Sequence, residues 1–137
     1  MKEIFPSLVG NERLKERLGA DVKVGAISHA YIIDGAEGSG KHTLVRSLAA
    51  ALSCAERKSA KRLPCGECPS CKKILEGKSP DLIYVSRGDR ATLGVDSIRF
   101  IRSDVAIAPN DTEYKIYVIE DAHTMTDQVL WVLKFNV

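Results

Sequence analysis

The sequence predicts an α/β fold built on a parallel sheet, and three observations carry that expectation. A glycine-rich loop stands between an apolar run and a helical pattern. Two further apolar runs follow downstream, with helical periodicity between them. Together they imply three layers, with a parallel sheet and helices on both faces.

The loop comes first. Gly35-Ala36-Glu37-Gly38-Ser39-Gly40-Lys41-His42 fits the phosphate-loop pattern G-x-x-x-x-G-K-[ST] at every position but the last. Glycines allow successive backbone N–H groups to turn inward around a phosphate chain, and Lys41 reaches the outer phosphates. The final hydroxyl should sit on Mg²⁺, a hard cation that prefers oxygen, yet His42 offers nitrogen. Thr43 is no simple substitute, because one step along a helix turns a side chain by about 100°. The residues before the loop, 29–34, read as a buried strand, and the pattern from Lys41 to Leu52 reads as a helix. That order is what distinguishes a phosphate loop from a glycine-rich turn.

Composition sets outer limits. The chain has 137 residues, 45% of them hydrophobic, and a net charge of +2, which suits one domain with a core that needs no disulfides. The opening Met1-Lys2-Glu3-Ile4-Phe5-Pro6 lacks the long apolar segment of a signal peptide, so a cytoplasmic location is expected. So mild a charge does not by itself demand nucleic acid as a direct ligand.

In a reducing compartment, four cysteines are metal ligands more often than disulfides. Cys65, Cys68 and Cys71 stand at successive C-x-x-C spacings, and Cys54, at the end of the predicted helix, is a fourth thiolate able to close a tetrahedral site. Zinc held by four ligands has no open position and would be structural. A redox pair would use two of the four cysteines, and an iron–sulfur cluster shares the spacing but usually takes its fourth cysteine from further downstream. The basic residues Arg57, Lys58, Lys61, Arg62, Lys72, Lys73 and Lys78 flank these cysteines without interleaved aromatics, the pattern of a solvated surface more than of a phosphate-contacting one.

After Ser79-Pro80-Asp81, the run Leu82-Ile83-Tyr84-Val85 resumes the sheet. Val95, Ile98, Ile101 and Val105 recur at helical spacing until Pro109-Asn110-Asp111 breaks the pattern. Lys115-Ile116-Tyr117-Val118-Ile119 is a further strand, delivering Glu120 and Asp121 at its carboxyl end. That is where an α/β nucleotide site keeps its metal-holding and water-activating groups.

With these residues in hand, the chain resembles the clamp-loader subunits of bacterial DNA polymerase III, the AAA+ delta-prime and gamma/tau proteins, along essentially its whole length. The resemblance rests on Leu8-Val9-Gly10-Asn11, His29-Ala30-Tyr31, Cys54 with Pro64-Cys65-Gly66-Glu67-Cys68-Pro69-Ser70-Cys71, Gly94-Val95-Asp96-Ser97-Ile98-Arg99, and the run from Ile116 to Thr126. It implies one AAA+ nucleotide-binding domain over 1–137, incomplete at its carboxyl end, with a zinc-binding insertion at about 54–79. It also implies Val9 and Gly10 near an adenine, and ATP with Mg²⁺ as a cofactor.

Motor subunits of the family carry threonine or serine where His42 stands, and Asp-Glu where this chain reads Glu120-Asp121. Asp121 is one methylene shorter than the expected glutamate, which draws it back from an attacking water. Two departures at the metal and base positions resemble delta-prime, a stator with weak or absent hydrolysis, more than the gamma/tau motor. The implied partners are gamma/tau and delta subunits, with the sliding clamp and primed DNA reached through the complex. Residues 127–135 resemble a family helix that continues beyond Val137, so an amino-terminal part of a longer protein, monomeric alone, is expected. A gamma/tau-like ATPase and a phosphotransferase with a zinc-stabilised lid are the alternatives. The latter lacks a second motif for a phosphoryl acceptor.

Overall fold

The computed structural model of the chain describes residues 3–26, 31–33, 38–58, 61–86, 94–107 and 115–120. They fall into two compact units, Met1–Ser79 and Pro80–Val137.

The first unit holds β1 (Glu3–Ile4), α1 (Glu12–Val24), α2 (Lys41–Ser53), β2 (Arg62–Leu63) and α3 (Pro69–Leu75). In α1, Leu14, Leu18 and Val22 recur every four residues and so share one face, of which Leu18 and Val22 are buried. The helix ends at Gly25, whose φ of 74° is a left-handed conformation that favours glycine, and the Ala26 N–H returns 2.9 Å to the Asp21 carbonyl. Gly19 stands where β1 crosses, and a Cβ there would meet the Ile4 side chain at 2.7 and 2.8 Å. The second half of α2 is buried all round, from Leu48 through Ser53, because α3 packs on it and its far end enters the cysteine module. Small side chains at Ala49, Ala50 and Ala51 permit that close approach.

β1 and β2 form a parallel pair with Glu3 opposite Arg62 and Ile4 opposite Leu63. No sequence pattern announced it. Within the run 29–34, expected as a buried strand, Tyr31 to Ile33 depart from that form. Residues 29, 30 and 34 lie outside the described residues, while Tyr31 to Ile33 join no ladder and Ile32 is 97% exposed. A strand needs a neighbour for its backbone groups, and among the described residues of this unit the sheet is only the short β1–β2 pair.

The second unit is a β–α–β motif of β3 (Leu82–Val85), α4 (Val95–Asp104) and β4 (Ile116–Ile119). The strands are parallel, Leu82 opposite Ile116 through Val85 opposite Ile119. Ile83, Val85, Tyr117 and Ile119 alternate onto the side that meets Ile98 and Ile101 of α4. These three elements match their sequence expectations within one residue. The predicted breaker at 109–111 and the helix expected over 127–135 lie outside the described residues. Among the described residues, no helix is long and apolar enough to cross a membrane.

Candidate metal centre and phosphate-loop pocket

Each cysteine is delivered by a different local device. Cys54 caps the carboxyl end of α2 in an extended conformation. Cys65 opens a tight turn in which Gly66 takes a φ of 74°. Cys68 caps the start of α3, where Pro69 supplies a preset φ at the first helical position, and Cys71 follows within the first turn. The turn points two backbone donors at one sulfur, the Glu67 N–H at 3.4 Å and the Cys68 N–H at 3.3 Å from Cys65 Sγ.

All four sulfurs converge within 4.8 Å of one another. Cys68 Sγ lies 3.2 Å from Cys71 Sγ and 3.9 Å from Cys54 Sγ, and Cys65 Sγ lies 3.5 Å from Cys71 Sγ. Sulfurs at about 2.3 Å from a tetrahedral ion are about 3.8 Å apart, so the donor set fits a single four-coordinate metal. Cys54 and Cys71 are buried, whereas Cys65 and Cys68 reach partly to the surface.

Their acidities differ accordingly. Burial pushes the Cys54 thiol up to about 11, against the backbone N–H groups near it. Burial and the neighbouring thiols push Cys71 higher still. Burial also opposes ionisation of Cys65, but the Cys68 and Glu67 N–H groups outweigh it, helped by the adjoining thiols, and hold this thiol down at about 7. Metals bind thiolates, so an ion at this centre has to displace the protons of the buried pair.

The second feature is a pocket of about 400 Å³ at the amino end of α2. Gly38 and Gly40 have φ of 79° and 96°, which turn the chain into the helix, and Gly40 presses its backbone toward Leu8, where a Cβ would meet Cδ1 at 3.1 Å. The first-turn N–H groups of a helix have no intrahelical acceptor, and α2 carries no acidic residue there to compete with an anion.

Of the residues expected at a nucleotide site, Val9, Ser39, Gly40 and Lys41 line this pocket. Gly10, Gly38, His42 and Thr43 are beside it but not in its wall, and His42 is exposed while Thr43 is half-buried. Gly35 and Asp121 lie outside the described residues. Glu120 follows β4 in the other unit, half-buried, with its N–H donating 2.9 Å to the Val85 carbonyl. Sequence reasoning gave no site role to Leu8, Asn11 or the run Tyr31 to Ile33, which form much of the remaining wall. Leu8, Asn11 and Tyr31 stand in runs that carry the family resemblance, but that resemblance puts only Val9 and Gly10 near the nucleotide. The basic residues flanking the cysteines are exposed, apart from half-buried Arg57.

The family model for the DNA polymerase III delta subunit matches residues 10–134. The chain belongs to that family. Among curated relatives, DNA polymerase III subunit gamma/tau of Mycobacterium bovis is 36% identical over 123 residues, covering 89% of this chain and 21% of the relative. DNA polymerase III subunit tau of Escherichia coli is 32% identical over 124 residues, covering 90% and 19%. A plant protein, STICHEL-like 1 of Arabidopsis thaliana, is 32% identical over 134 residues, covering 96% and 12%. The chain therefore spans about a fifth or less of the length of these relatives.

Proposed function

We propose that this DNA polymerase III family chain serves a clamp loader, helping to load the sliding clamp on primed DNA as a delta-prime-like stator with weak or no ATP hydrolysis. Its partners in this reading are the gamma/tau and delta subunits. The domain is a three-layer AAA+ fold in which Gly35 to Lys41 cradle the phosphates of ATP and Val9 and Gly10 border the adenine. Glu120 holds Mg²⁺, directly or through water, and Asp121 stands in the place of the base.

The observation that carries the stator reading is His42, an exposed imidazole on the first turn of α2 where Mg²⁺ requires a hydroxyl. Equilibrium ATP binding with and without Mg²⁺, run beside a turnover assay, tests it. Affinity that depends on Lys41 but little on Mg²⁺, with no turnover, is the expected outcome. The gamma/tau names of the relatives favour a second reading, an ATPase. Steady hydrolysis abolished by Asp121→Asn decides for that one.

The four-cysteine centre holds structural zinc in this proposal. Sulfurs within 4.8 Å of one another suit one ion better than several irons with their own bridging sulfides, which supports this reading. Elemental analysis should return one zinc per chain and a colourless protein. Stoichiometric iron with a brown colour overturns the assignment.

A further inference from the structure

An insertion hung from the chain at two adjacent points should unfold without disturbing its host, and on that logic loss of the metal leaves the phosphate loop intact. Two connections in the first unit argue otherwise. One is α2, a rod of about 20 Å that carries Lys41 in the pocket wall at one end and leads into Cys54 of the metal centre at the other. The second runs through the amino-terminal strand. Leu63, wholly buried and two residues before Cys65, accepts a 2.7 Å hydrogen bond from the Phe5 N–H at the end of the β1–β2 pair. The Phe5 carbonyl in turn accepts a 2.9 Å bond from the Leu8 N–H. Leu8 lines the pocket and packs toward Gly40.

Phe5 itself is wholly buried at a φ of 49°. A bulky residue holds that left-handed conformation only when its surroundings over-determine it. Its two backbone hydrogen bonds supply that constraint, one to β2 and one to the pocket wall. Phe5 precedes the span that the family model matches.

We propose that the metal centre positions the nucleotide pocket, with Phe5 and Leu63 as positioning residues that transmit the fixed geometry of the cysteine module to Leu8, Val9 and Asn11. The proposal rests on reading that pocket as a nucleotide site. Ordering of the module by metal fixes β2, β2 fixes β1 and Phe5, and Phe5 fixes one pocket wall while α2 fixes the other. Coupling of this kind is reciprocal, so nucleotide in the pocket must also retain the metal.

ADP is the probe. Titration by calorimetry of the zinc-loaded chain and of the same chain stripped by a chelator should give affinities that differ by roughly tenfold, the zinc-loaded form binding more tightly. The reverse arm needs no stripped protein: saturating ADP should slow zinc capture by a chromogenic chelator by a similar factor. A zinc-loaded Phe5→Ala chain should bind ADP more weakly and lose the effect of ADP on zinc release, whereas Phe5→Leu should recover part of both. A merely structural role for Phe5 would lower the melting temperature and leave that release ratio unchanged. ADP that saturates the chain without altering zinc release overturns the proposal. ADP that fails to bind in either metal state, together with Lys41→Ala indistinguishable from the parent, overturns the nucleotide reading instead. In that case the Leu8 amide still reports on the coupling, and hydrogen exchange there that is the same in zinc-loaded parent and Phe5→Ala chains rejects it.

Discussion

The hydroxyl of Tyr117 donates a 2.6 Å hydrogen bond to Oδ2 of Asp104, joining β4 to the carboxyl end of α4. Lys115 Nζ completes the cluster at 2.9 Å from the same oxygen and also donates to the carbonyls of Asp104 at 3.0 Å and Ile107 at 3.3 Å. A cation at these carbonyls satisfies acceptors that the helix leaves open and complements its dipole. Lys115 and Tyr117 thus fasten the helix that covers their strand.

This cluster predicts a specific pH dependence. The Tyr117 hydrogen bond, then Lys115, holds the Asp104 carboxyl below its ordinary 3.8. Burial, then Asp104, raises the Tyr117 phenol above its ordinary 10.0. A depressed carboxyl contributes stability above its unfolded pKa and loses it as pH falls through the folded value. A raised phenol contributes below its unfolded pKa and loses it as pH rises toward the folded value. Urea unfolding followed across pH should therefore show a plateau from about 5 to 9 with a loss on each side. Tyr117→Phe should remove the alkaline contribution and weaken the acid one. An unchanged profile in that variant would count against the cluster.

Gly19→Ala should destabilise the first unit by about 1–3 kcal/mol, the usual cost of overpacking. Its Cβ would lie under 3 Å from two side-chain atoms of Ile4, so that side chain has to give way even though Ala is the better helix former. Chemical denaturation measures the loss. A gain in stability would mean that β1 does not cross there.

How much of this was legible in the sequence depended on where the information lay. α2, β3, α4 and β4 are announced by periodicity or by a continuous apolar run, and the structure reproduces them within a residue or two. The cysteine quartet is legible because C-x-x-C spacing encodes a turn with two sulfurs on one side, which Gly66 and Pro69 then realise. The β1–β2 pair was invisible. Strands of two residues have no period, and Ile4 meets Leu63 across a long stretch of chain. The run Tyr31 to Ile33 misled in the opposite direction, since an apolar run says that side chains seek burial but not which backbone will pair with them. The Tyr117 cluster has no sequence signature, because its members look like an ordinary strand and an ordinary last turn.

Ser53→Ala should be neutral or stabilising by up to about 1 kcal/mol. The Ser53 hydroxyl is buried beside Cys54 with no hydrogen-bond partner among the described residues, so it keeps a desolvation cost without a compensating bond. Thermal unfolding and zinc content measured together check this. A destabilised variant that also loses zinc would reveal a partner for that hydroxyl in the metal-loaded state.

Cys68→Ser should be costly through the metal centre alone, because Cys68 is one of the four sulfurs placed to hold an ion, whereas it makes no side-chain cap bond to α3 and serine suits an N-cap. Its Sγ approaches both Cys71 and Cys54, so its loss leaves three sulfurs, two of them buried thiols whose acidity favours the protonated form. The variant should release its metal and loosen α3, with losses of several kcal/mol where zinc is bound. Elemental analysis and circular dichroism of the purified variant test this together. Full zinc retention with unchanged helicity would show that three cysteines suffice.

His42→Thr is the substitution that separates binding from turnover. It restores a hydroxyl at the position on α2 where a phosphate loop presents one to Mg²⁺, leaving Gly38, Gly40 and Lys41 untouched. Mg²⁺-dependent ATP affinity should rise by at least about tenfold, the scale on which metal sites respond to a supporting group. Turnover should rise far less, because Asp121 still falls one methylene short of a glutamate at the proposed base position. Adding Asp121→Glu to His42→Thr should then recover more hydrolysis than the sum of the two single changes, since a bound metal and a placed water act on the same step. Calorimetry and phosphate release on the four proteins of that cycle give the answer. Strong turnover from His42→Thr alone would put the whole deficit at the metal and none at the base.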